Sequence, residues 1–102
     1  MYMEDIKNLQ QARLTSSKEK KMNGWLFKVS NRKNKKYDVY DPKTGKYLVS
    51  FGDNRYEHFK DKIGFWSKKD HNDKTRQTSY KKRHGTNPKY GSAGYFSLKY
   101  LW

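Results

Sequence analysis

The stretch YDVYDPKTGKYLVSFG at residues 37–52 decides the fold of this chain. Two runs rich in β-branched and aromatic residues alternate in polarity on either side of the turn sequence DPKTG. Pro42 suits the second position of a type I turn, and Gly45 suits the left-handed position that follows it. The pattern predicts a β-hairpin. Tyr37 and Val39 are predicted to share one face of the first strand, and Tyr47, Val49 and Phe51 to share one face of the second.

Upstream of the hairpin, the segment GWLFKVS at residues 24–30 also alternates, with Trp25, Phe27 and Val29 on one face. It predicts a third strand, and three strands with one apolar face are near the minimum for a stable sheet. Residues 1–14 carry a weak helical pattern, and the polar, basic residues 15–23 are typical of a linker or arm. The expected organisation is an N-terminal helix and basic arm at 1–23, followed by a small domain at 24–102.

Downstream, three helical segments are predicted. Residues 55–63 have the apolar spacing of a short helix that ends at Gly64. Asp73 can cap a helix over 74–84 that Gly85 ends, and Ser92 can cap a final turn or helix in the aromatic C-terminal segment. The predicted fold class is α+β: a three-stranded antiparallel meander with short helices packed on it and a basic N-terminal arm.

The amino-acid composition indicates the kind of partner that the protein binds. The chain carries 24 Lys and Arg against 10 Asp and Glu, a net charge of +14 on 102 residues, together with 9 Tyr, 5 Phe and 3 Trp. A disordered basic tail is poor in aromatic residues, and a basic domain repels itself unless an anionic partner is present. The sequence therefore indicates a small ordered protein that binds nucleic acid or the acidic face of another protein.

Other compositional features exclude function classes. The absence of cysteine excludes disulfides and thiolate zinc sites, and fits synthesis in a reducing cytosol. No apolar run is long enough to span a membrane. His58, His71 and His84 are widely spaced, and neither a catalytic triad pattern nor a glycine-rich phosphate loop is present. We therefore expect no enzyme activity, no metal or cofactor, and no small-molecule substrate.

The candidate binding residues fall into a basic set and an aromatic set. Arg76, Tyr80, Arg83 and His84 share one face of the predicted helix, where the arginines can bind phosphates or carboxylates. The structural alternative is that Tyr80 packs on the sheet and the arginines pair with aspartates of the hairpin region. The basic candidates are Lys20, Lys21, Arg32, Lys33, Lys35, Lys36, Arg76, Lys81, Lys82 and Arg83.

The aromatic set lies in the last eight residues, YFSLKYLW, which contain four aromatic rings. This segment either folds over the open face of the sheet or docks into a groove on another subunit. The candidate anchors are Tyr95, Phe96, Tyr100 and Trp102.

Several motifs together resemble a known protein family. They are the hairpin ending VSFG at 49–52 with Tyr56, the string H-x-D-x-x-R-x-x-x-Y-x-x-R-H at 71–84, and SAGYFS at 92–97 with Leu101-Trp102. Over residues 35–102 the chain resembles small basic proteins of nucleocytoplasmic large DNA viruses. The segment 60–69 looks like an insertion relative to the pattern. The resemblance implies a large DNA virus as the setting, and a place in its virion.

The function expected from the sequence is that of a non-enzymatic virion structural protein. It would be a minor capsid or cement-type component, located in the virion and in the host cytoplasm during assembly. Its partners would be the acidic surfaces of larger capsid proteins, which it bridges through basic and aromatic contacts. The alternative is sequence-independent DNA binding during genome packaging, in which binding weakens steeply with salt.

Overall fold

In the computed structural model, residues 18–102 are described, and they form a four-stranded antiparallel sheet with two α-helices. The strands lie side by side in chain order. The elements are β1 (Glu19–Met22), β2 (Trp25–Val29), β3 (Lys35–Tyr40), β4 (Tyr47–Asp53), a 3-10 turn (Ser67–Lys69), α1 (Lys74–His84) and α2 (Ala93–Tyr100). The predicted α+β class is confirmed.

The first strand corrects the prediction of a three-stranded sheet with a basic arm. Glu19–Met22 pairs antiparallel with β2, so that Met22 lies opposite Trp25. Asn23 and Gly24 form the connecting turn with φ angles of 54° and 84°, as a two-residue hairpin turn with two left-handed residues requires. The segment EKKM lacks apolar alternation, so its strand depends on pairing with β2. The helix predicted for residues 1–14 lies outside the described residues.

The hairpin of β3 and β4 is confirmed, with Gly45 at φ 75° and its N–H donating to the Asp41 carbonyl at 2.7 Å. Its register contains a bulge, because Val39 pairs with Val49 whereas the next residue, Tyr40, pairs with Tyr47. The skipped residue changes the alternation of β4. Tyr47 therefore lies on the outer face beside Tyr40, and the prediction that it shares a face with Val49 and Phe51 was wrong.

The core lies on the inner face of the sheet, beneath α2. Phe96 of α2 packs against rings of two strands, with centroid distances of 4.9 Å to Trp25 and 5.9 Å to Phe27 on β2 and 5.6 Å to Phe51 on β4. Such edge and offset contacts are favourable geometries for aromatic pairs. The buried hydrophobic residues of this core are Phe27, Tyr37, Val39, Phe51, Ile63, Phe96, Tyr100 and Leu101.

The helix predicted at 55–63 is absent, and an irregular loop connects β4 to the 3-10 turn. The carboxylate of Asp61, only 5% exposed, organises this loop. It accepts hydrogen bonds from the Tyr37 hydroxyl, the Ile63 N–H and the Trp66 N–H. A buried carboxylate that binds backbone donors in this way offers the chain an alternative to helical hydrogen bonds.

The other two predicted helices are present, and each begins at its predicted capping residue. The Asp73 side chain accepts from the N–H groups of Thr75 and Arg76 at 2.9 and 3.2 Å, and Gly85 follows α1 with φ 80°. The Ser92 hydroxyl accepts from the Tyr95 N–H at 3.2 Å and begins α2. These caps satisfy backbone groups that the helix itself leaves unpaired, which is why the sequence could locate both helix starts.

Candidate binding groove

An open groove of about 530 Å³ lies where α1 and α2 meet the end of β4 and the loop that follows it. Its walls combine basic, aromatic and small residues. They are Lys35, Lys36, Phe51, Gly52, Asp53, Tyr56, Glu57, Arg76, Tyr80, Arg83, His84, Ala93, Gly94, Ser97, Leu101 and Trp102. We refer to this feature as the basic groove.

One face of α1 forms a wall of the basic groove. The predicted set of Arg76, Tyr80, Arg83 and His84 is brought together there, because residues three and four apart share one helix face. The Arg76 guanidinium donates to the Glu57 carboxylate at 2.9 Å, and both side chains are exposed. This contact holds the pKa of Glu57 below its usual range. Arg83 forms no ion pair with any residue in the described part of the chain.

An aromatic stack joins α1 to the C-terminal residue. The Tyr80 ring lies between His84 and Trp102, with centroid distances of 4.1 and 4.2 Å and only 5° between the Tyr80 and Trp102 planes. The Gln77 side chain adds a 2.6 Å hydrogen bond to the Trp102 carbonyl. Burial raises the pKa of Tyr80. The stack and this hydrogen bond attach α1 to the C-terminal segment, next to the helix face that carries the arginines.

Beneath the groove lies Lys36, which the sequence presented as an exposed binding residue. It is only 2% exposed, and its stem passes over Gly52, so a Cβ added to Gly52 would be 3.1 Å from it. The ammonium group donates to the Tyr56 carbonyl at 2.8 Å and to the His58 ring at 2.7 Å. Burial is the main cause and the positive charge of Lys69 the next, and they lower the pKa of Lys36 to about 8. Lys36 therefore belongs to the interior of the protein.

His58 links Lys36 to Asp70. Its Nε2 lies 2.6 Å from the Asp70 carboxylate, while its Nδ1 faces the Lys36 ammonium. Since an ammonium group can only donate, Nδ1 accepts, and Nε2 carries the proton that is donated to Asp70. Burial and then the charge of Lys36 lower the pKa of His58, which favours this neutral imidazole. Asp70 also accepts from the Asp61 N–H at 2.8 Å.

Sequence reasoning missed this buried Lys36–His58–Asp70 chain. Its members are separated by 22 and 12 residues, and they share no periodic pattern. The structural interpretation of Asp73 as a helix cap was right, and the His71 ring accepts from the Asp73 N–H at 2.9 Å. No group of three His, Asp or Glu side chains within residues 18–102 is arranged to hold a metal ion.

The other predicted basic residues are spread over several surfaces. Lys20 and Lys21 are exposed on the edge strand β1, and Arg32 and Lys33 are exposed in the loop between β2 and β3. Lys35 lies in the groove wall, whereas Lys81 and Lys82 lie on α1 outside it. The structure therefore brings only part of the basic set into one site.

The aromatic candidates are also divided, between the buried core and the partly exposed surface. Phe96 and Tyr100 are buried core residues, exposed by 0% and 1%, which leaves them no surface for a partner. Trp102 is half-buried in the groove wall, and Tyr95 is half-buried elsewhere on α2. The C-terminal segment thus closes the protein's own core, as the structural interpretation predicted, and only part of it can contact another molecule.

The acidic and basic side chains differ in how many of them have a partner within the protein. Every carboxylate in residues 18–102 takes part in an intramolecular hydrogen bond or ion pair: Glu19, Asp38, Asp41, Asp53, Glu57, Asp61, Asp70 and Asp73. Of the lysines and arginines there, only Lys28, Arg32, Arg55 and Arg76 form an ion pair with a carboxylate. Most of the positive charge therefore has no counter-ion within this part of the molecule.

No protein-family model, no curated protein and no solved structure matches the chain. Neither of the two described helices combines the length and the apolar character that crossing a membrane requires.

Proposed function

We propose that this protein is a non-enzymatic structural component of a virus particle. In this role it is a minor capsid or cement-type protein that bridges larger subunits through basic and aromatic contacts. One observation supports the proposal. Every carboxylate in residues 18–102 makes an internal hydrogen bond or ion pair, whereas most lysines and arginines there form no ion pair with a carboxylate. A surface of this kind is complementary to an acidic partner.

The basic groove is the proposed docking site for an acidic segment of a larger subunit. Arg83 is available to an incoming carboxylate, and the exposed pair of Arg76 and Glu57 contributes little stability by itself, so a partner carboxylate can replace Glu57. The ring of Trp102, held by its stack on Tyr80, supplies an apolar contact next to these charges. Arginine and aromatic side chains are the types that most often dominate the energy of protein interfaces.

The viral setting is supported by the motif resemblance. Its string at 71–84 contributes Arg76, Tyr80, Arg83 and His84 to the groove wall, and VSFG contributes Phe51 and Gly52. Much of what makes up the resemblance therefore lies around the proposed docking site. The proposed location is the virion shell, after a period in the host cytoplasm during assembly.

The test is incorporation into particles. Virions of the encoding virus are separated into shell and genome core, and the protein is quantified in each fraction. We expect it in the shell, and we expect the double variant Arg76→Gln/Arg83→Gln to lose most of its incorporation. The matched control Lys43→Gln/Lys46→Gln removes the same charge from the exposed hairpin turn and should be incorporated normally.

Two results would contradict the proposal. Recovery with the genome core would favour the packaging alternative, in which the protein binds DNA without sequence preference. Equal loss of incorporation for both double variants would show that total charge, and not the groove, determines docking.

A further inference from the structure

A second surface, on another side of the protein, has a different composition. The rings of Trp25, Tyr90 and Tyr95 form a cluster at the surface that we call the aromatic patch. Tyr90 lies against both neighbours, with centroid distances of 5.8 Å to Trp25 and 4.9 Å to Tyr95, yet 70% of it is exposed. A large ring is thus held in position by other rings while its outer side faces solvent.

The aromatic patch and the basic groove lie on opposite sides of α2. Ala93, Ser97 and Leu101, spaced four residues apart, face the groove. Tyr95 and Lys99 lie two positions from Ser97, which is more than half a turn around a helix with 3.6 residues per turn. The two surfaces are therefore separate, and a molecule on the patch does not need the groove.

One lysine contacts the aromatic patch, and two more are near it in the sequence or in the sheet. Lys99 lies 5.7 Å from the Tyr95 ring centre and donates to the Tyr95 hydroxyl at 3.4 Å. Lys89 directly precedes Tyr90, and the register of β1 and β2 places Lys20 on the same face of the sheet as Trp25. These three lysines make no ion pair with any carboxylate of residues 18–102.

From this arrangement we infer that the aromatic patch binds single-stranded nucleic acid, with an unpaired base stacked on Tyr90 and backbone phosphates beside Lys20, Lys89 and Lys99. A single strand presents flat ring faces and negative charges at short, regular spacing, which matches exposed rings bordered by lysines. A duplex hides its base faces, and an acidic protein surface supplies carboxylates without stacked rings. The inference goes beyond docking at the groove and concerns different residues.

The test is fluorescence anisotropy with labelled oligo-dT of about 12 nucleotides, a length within the usual site sizes of such domains. We expect Tyr90→Ala to weaken binding on the order of 10-fold, the loss typical of one base–aromatic contact, and Tyr90→Phe to bind like the natural protein. Lys89→Gln/Lys99→Gln should reduce the dependence of log affinity on log salt by about 0.7 for each phosphate that the protein no longer neutralises. Phe65→Ala is the matched control, because the Phe65 ring is 40% exposed and lies neither in the aromatic patch nor in the groove wall.

Several outcomes would overturn the inference. They are no binding of oligo-dT at low salt, equal binding by Tyr90→Ala and the natural protein, and equal affinity for a duplex of the same length. A poly-glutamate probe whose binding depends on Tyr90 would instead assign the patch to an acidic protein. Arg76→Gln/Arg83→Gln should retain oligo-dT binding, so failure of the groove proposal and failure of this one are distinguishable.

Discussion

Asp61→Asn tests the claim that one buried carboxylate organises the loop after β4. Oδ2 of Asp61 accepts from the Tyr37 hydroxyl and from the Trp66 N–H at 2.8 Å, while Oδ1 accepts from the Ile63 N–H at 2.8 Å. Burial, together with the hydrogen bond to Asp61, raises the pKa of Tyr37. The substitution keeps the volume of the side chain but replaces one acceptor oxygen by a donor.

The expected loss of stability follows from this geometry. Whichever way the introduced amide is oriented, its NH₂ group faces at least one backbone N–H, of Trp66 or of Ile63. A buried donor left without an acceptor costs about 1–3 kcal/mol, and each hydrogen bond to a charged group contributes about 1.5–3 kcal/mol. We therefore expect the free energy of unfolding to fall by about 3 kcal/mol, a large fraction of the stability of a small domain.

The assay is urea unfolding at pH 7 followed by tryptophan fluorescence. Asp41→Asn is the matched control, because the Asp41 carboxylate accepts from the Lys43 N–H in an exposed turn where asparagine can do the same. Its free energy of unfolding should change by less than about 0.5 kcal/mol. A loss below about 1 kcal/mol for Asp61→Asn, or equal losses for the two variants, would refute the reasoning.

A double-mutant cycle sharpens the test. Tyr37→Phe removes the hydroxyl that donates to Asp61 and accepts from the Phe65 N–H at 3.0 Å. Because both substitutions remove the same hydrogen bond, their effects should be less than additive by about 1 kcal/mol. Strict additivity would show that the Tyr37 hydroxyl and the Asp61 carboxylate do not stabilise the fold together.

Two further predictions concern the floor of the groove. The pKa of Lys36 is about 8 in the folded protein against 10.5 unfolded, so the unfolded chain binds the proton more tightly and the free energy of unfolding should rise with pH between these values. We expect the free energy of unfolding, measured by urea titration, to be about 2 kcal/mol higher at pH 9.5 than at pH 7. A Lys36→Met variant that shows the same increase would contradict this prediction. Gly52→Ala should lower the free energy of unfolding by more than Gly45→Ala, for which about 1 kcal/mol is expected from positive φ alone. Both glycines have positive φ, but only at Gly52 would a Cβ lie 3.0 Å from Leu101, so equal thermal stabilities of the two variants would contradict the close packing.

Local signals in the sequence predicted the parts of the fold that depend on a few adjacent residues. The turn around Pro42 and Gly45 and the caps at Asp73 and Ser92 are examples. The face of α1 that carries Arg76 was also predictable, because helical periodicity alone determines which residues share a face. The sequence therefore predicted one wall of the candidate groove, the wall that α1 forms.

The remainder of the groove depended on contacts between distant residues. A run of lysines gave no indication that Lys36 is buried, since its partner His58 lies 22 residues away in a loop without periodicity. The helix predicted at 55–63 failed because Asp61 binds backbone donors beside Tyr37, an arrangement that local propensity does not encode. Likewise, a single bulge residue in β4 moved Tyr47 to the other face of the sheet.

The sequence by itself determined the positive charge, the hairpin and the starts of both described helices, because composition, turn geometry and capping are properties of short segments. The tertiary structure decided which of the charges and rings are available to a partner. It buried Lys36, Phe96 and Tyr100, and it left Arg83 and Tyr90 exposed on separate surfaces. The physical reason is that burial and ion pairing depend on which residues the fold brings together, and in this chain those residues lie far apart in the sequence.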